Sequence, residues 1–388
     1  MVAQAGRGGQ QRQRGHAPAP DRHGQRADLL RLPGRGGASL IRRLLLSAAL
    51  LGLSGCSVLG HWSQAASGHL GIVRAAKPVS DWLADPATPA DLAERLRLSQ
   101  QMRDFASSRL ALPENNSYRR YADLKRTAAV WNVIAAPEFG FTLKTWCYPI
   151  MGCAGYQGWF DLDEAKKHAE ALKAKGWEVQ VQAIPAYSTL GWSGALGGDP
   201  LLNTFIRYAE GELAAMIFHE LAHQRVYVSD DTGFNEAYAS AVEQIGAHQW
   251  LGDKPQALAA FDAGRARRAR FLALAREGRD RLQAVYDGPA DSRAAGKAAL
   301  MAELRERAPR EAPGYEAWFQ RANNANFAIL SAYSDLVPAF ERLFEREGRD
   351  WVRFHAAVER LKPLSREERR TALKGGPDEV DPAPRQGR

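Results

Sequence analysis

The residues best equipped for chemistry lie in one short run, Met216-Ile-Phe-His219-Glu220-Leu-Ala-His223-Gln224. It contains His-Glu-x-x-His. On an α-helix, positions i and i+4 share a face, so His219 and His223 can reach a single cation. Imidazole pairs completed by a carboxylate suit Zn²⁺, and one zinc ion is the expected cofactor. Glu220 projects to the side of the pair, where it can take a proton from water without ligating the metal. The preceding Glu212-Leu-Ala-Ala-Met-Ile-Phe has strong helix formers and no proline, with Gly211 at its start. The competing interpretation is a buried helix with two hydrogen-bonded histidines.

A tetrahedral catalytic zinc takes three protein ligands and keeps one position open. The spacing predicts that the first helix runs to about Val228, followed by a turn over 229–233. A second helix should then span Phe234 to Gly246, with Asn235 as a cap. Glu236, in its first turn, is well placed as the third ligand if that helix folds back. Glu243 lies two turns further along the same face. It is the rival third ligand, or else a carboxylate that orients a ligand histidine. A structural reading also exists for Glu236, as an acid favoured by the helix dipole.

Around this pair the pattern is α+β and mostly helical, with a small sheet and a helical C-terminal part. Helices are expected over 79–84 and from Asp91 onward, where apolar residues at 92, 96, 98, 102 and 105 fall near a 3.6-residue period. Ala128 to Ile134, Phe139 to Leu143, and Gly158 to Phe160 read as strands. Asp163 to Lys175 reads as an amphipathic helix ended by Gly176, and Trp177 to Ile184 alternates as a strand. The segment Tyr187-Ser188-Thr189-Leu190-Gly191-Trp192 follows that strand. It is a candidate lip that pairs with an extended peptide by strand addition, or a plain surface loop. Past Gly246, Ala257 to Tyr286 and Ser292 to Arg307 read as a helical hairpin, an insertion over about 257–308 with charged solvated faces. A further helix begins at Ala322 and ends before Pro338. Helices over 340–347 and 350–361 follow, and the chain beyond about residue 370 (371–388) reads as a frayed tail.

The N-terminal residues carry a different message. Residues 1–40 are rich in Gly, Arg and Gln, a composition that cannot bury a core. They read as a disordered leader or as sequence ahead of the true start. Arg42-Arg43 then precede an apolar run and Leu53-Ser54-Gly55-Cys56, which has the layout of a secretory signal. Leu-Ser-Gly-Cys resembles the bacterial lipobox, which implies lipidation at Cys56, removal of residues 1–55, and a mature domain over 56–370. The serine after Cys56 resembles the pattern sent to the outer membrane of Gram-negative cells. Residues 1–55 hold nine arginines against Asp21 and Asp28, so they carry +7 of the chain's +8. The basic charge therefore belongs to the leader and gives no reason to expect a nucleic-acid partner. With Cys56 lipidated, Cys147 and Cys153 remain, flanking Pro149 and Gly152, and are expected to pair in an oxidising compartment.

Together the lipobox, Trp146-Cys-Tyr-Pro with Gly152-Cys153, Ala186-Tyr-Ser-Thr-Leu-Gly-Trp192, Phe218-His-Glu-Leu-Ala-His-Gln224 and Phe234-Asn-Glu-Ala237 resemble the bacterial putative aminopeptidase family. These are lipoprotein zinc peptidases related in motif to the gluzincins. The resemblance implies a zincin-like core with His219, His223 and Glu236 as zinc ligands and Glu220 as catalytic acid/base. It implies a peptide substrate, a membrane contact through the lipid at Cys56, and no obligate protein partner. Glu236 follows His223 more closely than the third ligand does in better-known gluzincins, so the connection between the helices must be short. Gluzincins supply a Tyr or His from later in the chain to the oxyanion, and Tyr333 is the candidate here. Glu243 or Asp335 is the candidate for the substrate amine. The alternatives are a zinc endopeptidase, or a non-catalytic envelope lipoprotein that keeps the scaffold as a binding module.

Overall fold

The computed structural model describes Gln64 and residues 67–148, 152–186, 198–229, 231–330 and 336–375. A helical stretch over 67–75 leads to strand β1 (Lys77–Pro78), then helices α1 (Val79–Ala84) and α2 (Ala90–Leu110). Helix α2 buries Leu92, Leu96, Met102, Ala106 and Leu110, one apolar stripe. Strand β2 (Arg120–Ala122) pairs antiparallel with β1 and parallel with the later β8 (Leu201–Leu202), forming a minimal sheet.

The larger sheet is built on β3 (Val130–Pro137), which lies between β6 (Gln157–Trp159) and β7 (Trp177–Ile184). Its register with β7 runs antiparallel without a break from Val130↔Ile184 to Pro137↔Trp177. Helix α3 (Leu162–Lys173) joins β6 to β7; the Asp161 side chain caps it by accepting from the backbone of Asp163 and Glu164. Gly176, at φ +84°, turns the chain from that helix into β7. Ala165, Ala169 and Leu172 cover one face of the sheet against Trp131, Val133 and Ala135. On the other face, Ala325 and Ala328 of α9 (Asn324–Leu330) cover Ile134 and Ala136. Burial on both faces explains why β3 reads as a near-continuous apolar run rather than a clean alternation.

Strands β4 (Trp146–Tyr148) and β5 (Gly152–Ala154) form a hairpin, and a disulfide joins its register partners Cys147 and Cys153. Helices α4 (Glu210–Arg225) and α5 (Thr232–Trp250) pack along one another in the largest core. Next come the paired helices α6 (Pro255–Asp287) and α7 (Arg293–Glu311), then α8 (Glu316–Arg321). After α9 come α10 (Val337–Arg346), α11 (Trp351–Leu361) and α12 (Arg366–Lys374).

The mostly helical α+β class is as the sequence implied, but several elements differ. Residues 139–143 form no strand. Phe139 and Phe141 instead pack their rings 5.7 and 5.6 Å from Tyr286 of α6, so burial against the hairpin overrides β propensity. Helix α7 continues through Pro309 to Glu311. Pro338 opens α10, where its missing N–H costs nothing. The chain past residue 370 is not all tail: α12 extends to Lys374 behind a Ser365/Glu368 capping box, and Leu373 is buried.

Candidate metal centre

Helix α4 is apolar on most of its circumference. Leu213, Ala214, Ile217, Phe218, Leu221 and Ala222 are all buried in the core. His219, Glu220, His223 and Gln224 stand on the remaining side. Helix α5 likewise buries Phe234, Ala237, Tyr238, Ala241 and Val242, which turns Glu236 and Glu243 toward the same place. The helices approach closely at Gly246, where a Cβ would lie 2.7 Å from Leu110 Cδ1 and 3.0 Å from Phe218 Cδ2.

The connection between them is fixed rather than merely short. Helix α4 ends at Arg225, three residues before the expected Val228, with Val226 already extended. Asn235 is not the cap of α5. It lies inside the helix, donating to the Val228 carbonyl at 2.8 Å and accepting from the Val228 N–H at 2.9 Å. Asp231 is the cap, accepting from Phe234 N at 3.3 Å. Arg369 of α12 grips the same carboxylate at 2.8 and 3.0 Å. Further along α5, the Tyr238 hydroxyl donates to His355 Nδ1 at 2.8 Å, while His355 Nε2 donates to the Leu110 carbonyl at 2.8 Å. Both the start and the middle of α5 are thus tied to other helices, and Glu236 lies between these ties.

These supports bring His219, His223 and Glu236 together, with one ligand atom from each within 4.8 Å of the others. His219 Nε2 and His223 Nε2 are 3.1 Å apart. Glu236 Oε2 is 3.5 Å from His219 Nε2, and its Oε1 is 3.6 Å from His223 Nε2. A tetrahedral zinc with bonds of about 2.0–2.1 Å has ligand–ligand edges of about 3.4 Å. The three separations bracket that value, so the donor set fits such a cation without rearrangement.

Glu243 Oε2 lies 2.7 Å from His219 Nδ1, on the far side of the ring from the convergence point. Of its two expected roles, the geometry matches the orienting one: a carboxylate on Nδ1 directs the Nε2 lone pair toward a metal. Arg265 of α6 donates to Glu243 Oε1 at 2.8 Å and extends the chain of contacts.

The electrostatics follow from burial against pairing. Burial lowers the His219 imidazole, but hydrogen bonds to Glu236 and Glu243 more than offset this and hold it well above its ordinary value. His223 is lowered to about 4 by burial and by the charge on His219. Burial raises Glu236 and Glu243, yet their cationic neighbours leave both below the usual carboxylate range. A divalent cation held between the facing Nε2 atoms would take the place of the positive charge that these shifts favour on His219.

Glu220 is partly buried beside this cluster, and its charge is felt by two tyrosines, Tyr118 and Tyr156. Tyr118 is buried, adopts a left-handed backbone (φ +64°), and donates its N–H to the Asp199 carbonyl at 2.7 Å. Gln224, next after the motif, accepts from Asn115 at 2.8 Å and donates to Ser117 and Asp199 at 3.2 Å each. This knot fastens α4 to the loops before β2 and β8.

Tyr187, Ser188, Thr189, Leu190, Gly191 and Trp192, along with Tyr333, Asp335 and Cys56, lie outside the described residues. Arg265 carries no signal in the sequence, being one arginine among many on a charged helix.

No curated protein and no solved structure matches the chain. The model of a family described as putative aminopeptidase matches residues 60–373, a span that includes α4, α5, the disulfide hairpin and α12. With most of its length matched, the chain belongs to the putative aminopeptidase family.

Proposed function

We propose that the protein is a zinc-dependent peptidase with a zincin-like core of gluzincin type, acting as an aminopeptidase. The observation that carries this reading is the convergence of His219, His223 and Glu236, with Glu220 beside them and outside the donor set. Family membership supports the peptide substrate. When bound, the zinc supplies Lewis acidity, which polarises a carbonyl and acidifies water at neutral pH.

The chain's own residues do the rest. Glu220 accepts a proton from the attacking water and delivers it to the departing amine as the C–N bond breaks. A carboxylic acid and an amine result, and passage of the acid's proton to the amine leaves a carboxylate and an ammonium group. Glu243, steadied by Arg265, fixes the tautomer and orientation of His219. The tie from Asn235 to Val228 sets the approach of Glu236.

The Arg42-Arg43 pair, the apolar run and Leu-Ser-Gly-Cys56 support lipid anchoring in the cell envelope, facing the periplasm from the outer membrane. Replacing Cys56 with Ala should move the protein from the membrane fraction to the soluble one. The paired Cys147 and Cys153 agree with an oxidising compartment.

The deciding experiment compares amino-acid p-nitroanilides with their N-acetylated forms, using the parent protein and Glu220→Gln. The proposal expects cleavage of the free-amine substrates only. It also expects a fall in kcat of about 10²–10⁴-fold in the variant, with bound metal unchanged. Cleavage of blocked peptides would make it an endopeptidase. An unaltered rate in the variant would remove Glu220 from the chemistry.

A further inference from the structure

The α6–α7 hairpin has a charged outer face, yet its first turns are packed against α4 and α5. Trp250, which ends α5, and Lys254, which precedes α6, both donate to Glu210 Oε1 at 2.9 and 2.5 Å. Phe261 is buried with Ala215 of α4 and with Ala247 and Leu251. The approach is so close that a Cβ on Gly211 would lie 2.9 Å from Phe261 Cδ2. Helix α6 cannot slide along α4 without unpacking that ring.

Arg265 lies one turn after Phe261 and shares its face. Its guanidinium carbon stands 6.0 Å from the centroid of the Phe261 ring, which supports it. From there Nη1 donates to Glu243 Oε1 at 2.8 Å. The other oxygen of Glu243, Oε2, accepts from His219 Nδ1 at 2.7 Å. Each oxygen has its own partner, so the carboxylate cannot rotate without losing a charged contact. Side-chain exposure falls from 30 % at Arg265 through 19 % at Glu243 to 16 % at His219, so shelter from water deepens toward the donor. The second imidazole is held differently. His223 Nδ1 is buried and meets no hydrogen-bond partner among the described residues.

We propose that Arg265 is a positioning residue for the zinc site. By holding Glu243 against His219 Nδ1, it aims the His219 Nε2 lone pair at the point where the three donors converge. This deepens the zinc-peptidase reading above and rests on it. It also makes the hairpin insertion a working part of the centre, although α6 and α7 contribute nothing to the donor set. The sign of the effect is diagnostic. A guanidinium and a divalent cation carry like charges, so through space alone Arg265 would weaken zinc binding. Acting through Glu243, it strengthens zinc binding.

The test is a double-mutant cycle on the demetallated full chain, with zinc affinity read by competition with a chelating dye. It compares the parent, Arg265→Gln, Glu243→Gln and the two changes combined. Arg265→Gln should weaken zinc binding about tenfold. In the Glu243→Gln background the same change should weaken it no further, since the group it acts on is gone. Arg265→Lys should recover most of the loss, because one guanidinium nitrogen makes the contact. Arg265→Met, which keeps a stem over Phe261, takes the place of the glutamine variant if that one unfolds. Unchanged or tighter binding in Arg265→Gln would overturn the proposal. So would an equal loss in both backgrounds, the pattern expected of a residue that only props up the fold. A parent that takes up one zinc yet cleaves no peptide would end the peptidase reading and leave the cycle readable. A parent that takes up no zinc would overturn both.

Discussion

Two regions of this protein are built from the same kinds of charged side chain and behave in opposite ways. On the outer face of the α6–α7 hairpin, Arg307 contacts Glu277, Glu303 and Glu311, and Arg281 bridges Glu277 and Glu303. In the candidate metal centre, His219 contacts Glu236 and Glu243, and Arg265 closes the chain. The hairpin pairs have carboxylates 35–43 % exposed, whereas Glu236 and Glu243 are 24 % and 19 % exposed. In water, long side chains that meet gain little, because solvent screens the attraction and ordering costs entropy. In the centre, each group lost leaves another buried without its partner. Ion pairs crowd the hairpin, but the loss of one matters more in the core. Arg265 shows the contrast within one helix, since α6 carries it into the centre and Arg281 onto the surface.

The comparison predicts graded effects. The largest should come from acid. His355 is fully buried and lowered to about 4, first by burial and then by the charge of Arg225, against the opposing bond to the Leu110 carbonyl. An unfolded histidine titrates near 6.5, so the unfolded state binds the extra proton between pH 6.5 and 4. The contribution is intact above pH 6.5 and is lost as pH falls toward 4, on the order of 3 kcal/mol. His219 shifts upward and works in the other direction, so the test must isolate one residue. Denaturant unfolding of parent and His355→Gln should give a stability gap that narrows over that window; a constant gap would contradict the account.

A smaller effect is expected one contact removed from the donors. Glu243→Gln should weaken zinc affinity about 10–100-fold, read by competition with a chelating dye, while His219 and His223 stay in place. An unchanged affinity would mean that the 2.7 Å contact to His219 does not orient it. The smallest effect belongs to the hairpin. Arg307→Ala deletes several ion pairs at once, yet should change unfolding free energy by under about 1 kcal/mol and become neutral at high salt. A loss as large as that at His355 would erase the distinction between the regions.

Much of the centre was legible in the sequence because its logic is local. His219 and His223 are set by helical period alone, and Glu236 and Glu243 by the same period on the next helix. The class of fold followed from long periodic segments, and β7 from its alternation. What stayed hidden depends on tertiary contacts. Phe139 and Phe141 look like strand residues until Tyr286 is seen beneath them. Asn235 looks like a cap until Asp231 takes that place and leaves it to pin Val228. Arg369 looks like the start of a polar tail, although its guanidinium is buried against Asp231 and the Leu364 carbonyl.

The central claim is that three side chains from α4 and α5 hold one divalent cation. Its most direct test is zinc titration of the purified, demetallated protein by calorimetry, alongside His223→Ala and Glu236→Gln. The account predicts one tight site per chain in the parent and a large loss of affinity in each variant, with circular dichroism unchanged. A parent that binds no zinc, or a Glu236→Gln variant that binds as tightly as the parent, would contradict it.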